Sequence, residues 1–221
     1  MSAFFTEEKR EKIESYLRLL VSSKHNLTAI KNLDEAYQKH FLDVFLPLKE
    51  FSLKGNFIDI GTGGGVPGII CAILFPESKW TLLDSIRKKV QEIDNFIYEL
   101  GLKNVRVICQ RAEEYAKLDR EKYCGAFMRA VARPDVCLEY AAPLIKTGGK
   151  IYLYRGPNWK KEKDFAERAA SLLGLRIDRV IEYQITENIK RNLVIYKKLI
   201  ATSLKYPRKT GSATKKPLGG K

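Results

Sequence analysis

At 221 residues, 45% hydrophobic and 30% charged, the chain suits one domain with an extension and can bury about 70% of its unfolded surface. Cys71, Cys109, Cys124 and Cys137 form no CxxC pair, which disfavours a disulfide framework or zinc site, and the longest apolar stretch, Val66 to Phe75, falls well short of the ~20 residues that cross a bilayer. The net charge of +14 is uneven, with ten Lys or Arg and no acid from Lys190 to Lys221, a pattern that calls for a polyanionic partner.

Residues 1–53 read as a helical cap packed on the main domain. Thr6 is placed to cap a helix over 6–21, whose stripe is Ile13, Tyr16, Leu17 and Leu20. Asn26-Leu27-Thr28-Ala29-Ile30 suits a turn. A second helix from about Asp34 carries the stripe Ala36, Tyr37, His40, Phe41, Val44, Phe45 and Leu48, on which His40 reads as a core or interface histidine rather than a catalyst. With no signal peptide ahead of this cap and no paired cysteines, a cytoplasmic location is expected.

From residue 54 to 200 strand and helix patterns alternate. Phe57-Ile58-Asp59-Ile60 is a strand that enters Gly61-Thr62-Gly63-Gly64-Gly65-Val66-Pro67-Gly68 and opens a buried helix to Phe75. Such a loop needs backbone angles that β-carbons forbid and a main chain that a nucleoside-sized ligand can touch, which marks Gly61, Gly63 and Gly65 as cofactor contacts. In a dinucleotide fingerprint the third glycine would fall at Val66 instead of Gly65. A carboxylate two residues before Gly-x-Gly-x-Gly resembles the first motif of Rossmann-like S-adenosylmethionine-dependent methyltransferases.

The next strand, Trp80 to Leu83, ends in Asp84, 23 residues after Gly61, where a carboxylate can take both ribose hydroxyls and the adjoining Ser85 is a further cofactor contact. The alternative is that Asp84 or Ser85 caps the following helix, which stops at Gly101. After the third strand, Val105 to Cys109, come Gln110-Arg111-Ala112-Glu113, where Ala112 and Glu113 are expected to face the adenine that the end of this strand usually meets in such folds; the alternative is a solvated loop charge. Arg129 closes a fourth strand, Cys124 to Arg129, facing a cofactor carboxylate, an RNA phosphate or a structural ion pair. A helix opens at Pro134 and is expected to continue through Ile145 until Gly148-Gly149 end it, before a fifth strand, Lys150 to Tyr154, that leads to Arg155. A helix to about Leu173 and two strands, near 176–184 and 193–197, complete an α/β fold, a mostly parallel sheet with helices on both faces. Residues 201–221 read as a flexible basic tail. Its Lys205, Arg208, Lys209, Lys215 and Lys216 are candidate RNA contacts with Arg133 and Arg155. Truncation after Ser203 is expected to weaken RNA binding and leave cofactor affinity unchanged.

Four separated stretches resemble one family: Asn26 to Ile30; Lys39-His40-Phe41-Leu42-Asp43; Asp59 to Gly68 with Leu82-Leu83-Asp84-Ser85; and Arg111-Ala112-Glu113 with Arg129-Ala130-Val131-Ala132. The chain resembles the bacterial small-subunit ribosomal RNA methyltransferase G family, also called glucose-inhibited division protein B, which methylates N7 of the guanine at 16S rRNA position 527. The resemblance implies S-adenosyl-L-methionine as cofactor, 16S rRNA or the small ribosomal subunit as partner, no metal, and cofactor contacts at Gly61, Val66, Ala112 to Glu113 and Arg129. Departures are Val66 for a phenylalanine, Val44 for a serine and Arg155 for a lysine.

The rivals are an RNA-binding protein with a degenerate methyltransferase domain and a nicotinamide-dependent oxidoreductase. Within methyltransferases, a base carbon would demand a nucleophilic cysteine, commonly after proline, and no Pro-Cys occurs; an exocyclic amine commonly goes with Asn/Asp-Pro-Pro-aromatic, and none occurs. Guanine N7 carries a lone pair and no proton, so no catalytic acid or base is assigned. Oligomeric state is not readable, with a monomer the default.

Overall fold

The structure, a computed structural model, describes residues 5–220. Helix α1 (Glu7–Ser22) is capped by the Thr6 hydroxyl, which accepts the amide of Lys9, and buries Ile13, Tyr16, Leu17 and Leu20. The second cap helix runs in three segments, α2 (Leu33–Ala36), a π-helical stretch (Tyr37–Leu42) and α3 (Asp43–Leu48). The wide π turn carries His40 and Phe41 into the protein.

Seven strands follow: β1 (Gly55–Ile60), β2 (Ser78–Asp84), β3 (Val105–Cys109), β4 (Tyr123–Arg129), β5 (Ile145–Arg155), β6 (Leu175–Thr186) and β7 (Ile189–Lys198). They form one sheet in the order β3-β2-β1-β4-β5-β7-β6, parallel through β5, with β7 antiparallel to both neighbours. Alternate residues face opposite ways, so the sheet divides two cores. On one side Phe57, Trp80, Phe127 and Tyr152 pack with α1, α4 (Gly68–Leu74) and α5 (Arg87–Glu99). On the other, Ile58, Ile60, Ala126 and Leu153 meet α6 (Ala112–Leu118), α7 (Pro134–Ala141) and α8 (Trp159–Leu173). The parallel register sets Phe57 beside Trp80 and Phe127 beside Tyr152, and their rings make a ladder across four strands, with centroids 5.1 Å apart from Phe57 to Trp80 and 4.2 Å from Phe127 to Tyr152. Because β1 to β4 run parallel, their carboxyl ends, at Ile60, Asp84, Cys109 and Arg129, share one edge.

Two expectations fail. Helix α7 stops at Ala141, and Ile145 already pairs with Tyr123 in the sheet. Gly148, at φ +82°, and Gly149, where a β-carbon would come within 2.9 Å of the Cys124 carbonyl, let β5 bulge there and do not end a helix. The second correction concerns the C-terminal segment, expected to be an extended, flexible tail. Residues 201–220 instead lie packed along α6, α7 and α8, with Thr202, Tyr206 and Ala213 buried and a short helix, α9 (Ser212–Lys215). Arg120 donates to the carbonyls of Tyr206 and Thr202, Arg208 pairs with the buried Glu139 at 2.6 Å, and Arg168 donates to Gly219 O at 2.6 Å. The segment is too polar to fold alone, but its partners, the guanidiniums of Arg120 and Arg168 and the buried carboxylate of Glu139, lie elsewhere in the chain.

Candidate active site

The glycine loop turns at the end of β1, with Gly61, Gly63 and Gly65 all at positive φ. Gly61 N and Thr62 N both donate to Leu83 O, tying the loop to β2. Asp59, one strand position deeper, is buried. One of its oxygens accepts from Thr62 Oγ1 at 2.6 Å and from Gly68 N at 2.9 Å, joining the loop's start to the N-terminus of α4. Its other oxygen has no partner among the described residues, and burial raises its pKa to about 7.

The four central glycines of the loop divide by direction. A β-carbon on Gly63 would meet nothing nearer than 3.9 Å, so this residue turns bare backbone to open space, and Gly61 lies beside it at the cavity wall. On Gly64 a β-carbon would lie 2.6 Å from Leu20, and on Gly65 2.6 Å from Ile69 and 3.2 Å from the Tyr16 hydroxyl, which itself donates to Gly64 O at 2.8 Å. Gly64 therefore serves close packing against the cap. Gly65, expected as a cofactor contact, does the same and does not line the cavity.

Above the loop is a cavity of about 370 Å³, lined among others by Gly61, Gly63, Val66, Asp84, Ser85, Ala112, Glu113 and Arg129, eight of the nine cofactor positions expected from sequence. Asp84 Oδ2 accepts from Gly63 N and Oδ1 from Ile86 N, both at 3.0 Å, so the carboxylate holds the glycine loop and caps the entry to α5. Each oxygen keeps a second lone pair for a ligand hydroxyl. Glu113 Oε1 accepts from Gly211 N at 3.0 Å, so the C-terminal segment braces a side chain of the cavity wall.

At the opposite end, Arg129 is fixed by the cap: Nε donates to Asp43 at 2.8 Å and Nη2 to Lys39 O at 2.7 Å. Asp43 also accepts from Tyr183 Oη at 2.7 Å. His40 presents Nδ1 to Arg129 at 3.5 Å and Nε2 to the Thr28 hydroxyl at 2.9 Å. Burial, then the adjacent Arg129, lowers the His40 pKa to about 4. From sequence His40 reads only as a core or interface histidine, whereas here it and Asp43 together hold Arg129. The available signal was their i, i+3 spacing, which puts both on one helix face toward β4.

Of the candidate RNA contacts, three arginines are engaged internally. Arg155 pairs with Glu162 at 2.6 Å and donates to Ala132 O; Arg133 pairs with Asp135 at 3.0 Å and lies 4.6 Å over the Phe165 ring; Arg208 clasps Glu139. Lys205, Lys209, Lys215 and Lys216 are exposed, with no ion pair among the described residues.

The residues fit an adenosyl cofactor with an amino-acid end: open backbone at Gly63, a carboxylate at the end of β2, the start of α6, and a cation at the end of β4. Fold and site together define an S-adenosylmethionine-dependent methyltransferase of the Rossmann-like class. A family model described as rRNA small subunit methyltransferase G matches residues 9–194. The ribosomal RNA small subunit methyltransferase G of Thermotoga neapolitana is 40% identical over 214 residues, covering 97% of this chain and 93% of that protein. That of Carboxydothermus hydrogenoformans is 42% identical, covering 99% and 98%. The chain belongs to the rRNA small subunit methyltransferase G family. Solved structures share the fold at low identity. An rRNA methylase from Streptococcus thermophilus matches with a TM-score of 0.51 at 18% identity over 78% of this chain and 100% of that one. A geranyl diphosphate methyltransferase in complex with GPP and sinefungin matches with 0.56 at 12% identity over 76% and 78%. Among the described residues no helix is long and apolar enough to cross a membrane, and no group of three or more His, Cys, Asp or Glu is arranged to hold a metal ion.

Proposed function

We propose that this chain methylates N7 of a guanine in 16S rRNA of the small ribosomal subunit, acting in the cytoplasm. Bound S-adenosylmethionine supplies an electrophilic methyl group on a sulfonium. The chain's own part is to hold and orient: Asp84 for the ribose hydroxyls, the start of α6 for the adenine edge, and Arg129 for the amino-acid carboxylate.

The observation that carries the reading is the lack of a disposable base around the cavity. Asp84 is committed to the glycine loop and to the ribose hydroxyls, Glu113 accepts from Gly211 N, and His40, with a pKa of about 4, is a weak base already engaged on both ring nitrogens. No cysteine lines the cavity. A target nitrogen with an available lone pair and no proton to lose is what such a site can serve. RNA phosphates fall to Lys205, Lys209, Lys215 and Lys216, which are exposed on the segment that reaches Glu113, rather than to Arg133, Arg155 and Arg208, whose charges are already paired with carboxylates of this chain.

The test is to incubate the protein with labelled S-adenosylmethionine and unmethylated small subunits. The expected product is N7-methylguanosine at one position, detected by nucleoside mass spectrometry and by borohydride and aniline cleavage. Methyl groups on N1, N2 or a base carbon, or no transfer at all, would overturn the assignment.

A further inference from the structure

Thr28 lies between α1 and α2 and lines the cavity with Gly64, His40 and Arg129. Its place follows from the sheet order: Asp84 ends β2 and Arg129 ends β4, on opposite sides of β1, and Thr28 reaches Arg129 through His40. Thr28 thus belongs to the end remote from Asp84.

The hydrogen bonds fix what its hydroxyl can do. Arg129 Nη1 has only hydrogens to offer, so its 3.5 Å contact with His40 Nδ1 assigns that nitrogen as the bare one. The neutral ring then has its one N–H at Nε2, directed at Thr28 Oγ1 2.9 Å away. Oγ1 also accepts from Ile30 N at 3.1 Å. Both lone pairs of the hydroxyl are occupied, and its own hydrogen is bonded to no acceptor among the described residues. Thr28 is therefore a donor into the cavity, oriented from behind by His40 and Arg129.

A donor there has a defined use if the target is guanine N7. N7 must stay bare to accept a methyl group, so a base recognised beside it has to be read at position 6. Guanine presents an acceptor, O6, at that position, and adenine presents an amine. A single donor therefore accepts the first base and rejects the second. The cofactor's carboxylate is better matched by the charge of Arg129 than by a neutral hydroxyl. We infer that the Thr28 hydroxyl, oriented by His40 and Arg129, hydrogen-bonds O6 of the target guanine and selects it against adenine. This inference rests on the N7 reading proposed above.

The experiment measures single-turnover methyl transfer to small subunits reconstituted with either guanine or 2-aminopurine, which keeps N7 and lacks O6, at the target position. Thr28→Val keeps the shape of the side chain and removes the hydroxyl, and Thr28→Ser restores it. Against guanine, Thr28→Val should lose roughly tenfold to a hundredfold in kcat/KM, Thr28→Ser should recover most of that, and cofactor Kd should change by less than about twofold. Against 2-aminopurine the wild type and Thr28→Val should be equally slow, because intrinsic differences in N7 reactivity cancel in the cycle. Additive effects of the two changes would overturn the role of Thr28. A weaker cofactor Kd with unchanged transfer at saturation would also overturn it, and would assign the hydroxyl to the cofactor carboxylate. If the wild type produces no N7-methylguanosine, the function itself fails, an outcome distinct from the other two.

Discussion

The glycine loop and the C-terminal segment both shape the same cavity, and they do so by opposite means. Between Asp59 and Gly68 the features that shape the loop lie within ten residues of sequence: a carboxylate that pins both ends, and glycines where backbone must turn or be approached. Residues 201–220 meet the cavity wall through Glu113, and are held in place by acidic side chains 69 to 98 positions earlier. Glu113, Asp135 and Glu139, all buried, accept respectively from Gly211 N, Gly219 N, and the backbone and side chain of Arg208. One region is mainly a local motif, anchored in addition to Leu83, Asp84 and Tyr16. The other is a strap whose structure belongs to what it covers.

Removing the strap gives the largest effect expected. Breaking a buried pair strands a charge, and Glu139 is almost wholly buried, so Arg208→Ala alone should cost about 3 to 5 kcal/mol in denaturant unfolding. Truncation after Ser203 should cost more, because Glu113 and Asp135 lose their strap amides as well. Cofactor affinity should fall severalfold with it, against the expectation drawn from the tail's composition, because Glu113 is both a cavity wall and a strap partner. The double variant Arg208→Met with Glu139→Gln should recover much of the loss. If the truncated chain keeps its stability and its cofactor titration, the segment is a solvated end after all.

This contrast also explains what could be read from the sequence. The strand-loop-helix motif, the acid at the end of β2 and the arginine at the end of β4 were legible because strand periodicity and glycine spacing are short-range properties. The bulge in β5 was misread because a Gly-Gly pair marks either a helix end or a strand irregularity, and only pairing of Ile145 with Tyr123 decides. The strap was misread because composition judges whether a segment can fold alone. Nothing local to Arg208 announces that an acid 69 positions away is buried and waiting for it.

Within the loop, the division between packing and cofactor-facing glycines can be separated by two substitutions. Gly65→Ala forces a β-carbon onto Ile69 at a backbone angle of φ +95° and should cost about 2 to 3 kcal/mol of stability. Gly63→Ala, at φ +60° with space around it, should cost only about 1 kcal/mol of strain, yet lose more cofactor affinity, since its β-carbon enters the cavity margin. Thermal unfolding and isothermal titration of both variants give the answer. Equal stability losses would remove the distinction.

The cap end of the cavity should report itself through pH. The folded-state pKa of His40 is about 4, below its ordinary value of 6.5, so between those limits the unfolded chain binds more protons than the folded one. Stability contributed by the neutral ring is present above pH 6.5 and is lost as pH falls toward 4. Relative to a His40→Gln variant, the wild type should lose about 1.5 kcal/mol between pH 6.5 and 5, seen as a difference between two urea-unfolding series. Parallel pH profiles would mean that the ring can be charged without penalty and that Arg129 does not hold it neutral.

Asp84 should give the smallest change, and the one that tests whether a residue legible in sequence does a single job. Its two oxygens each hold a backbone amide, so a purely structural role would account for it completely, and Asp84→Ala would then loosen the loop without touching affinity beyond that loosening. Asp84→Asn discriminates better. The amide keeps one acceptor oxygen but turns donors toward Gly63 N or Ile86 N, a neutral loss of about 1 kcal/mol in stability. A ribose bound by a charge-assisted pair would lose in addition about tenfold in affinity, because a neutral amide accepts from hydroxyls more weakly than a carboxylate. Titration of S-adenosylmethionine against this variant should therefore show a Kd raised about tenfold in a protein that is nearly as stable as the wild type. A stability loss with unchanged Kd would leave Asp84 as the clip that closes the glycine loop onto α5, and the ribose would have to be sought at Ser85 or at the Gln110 edge of the cavity.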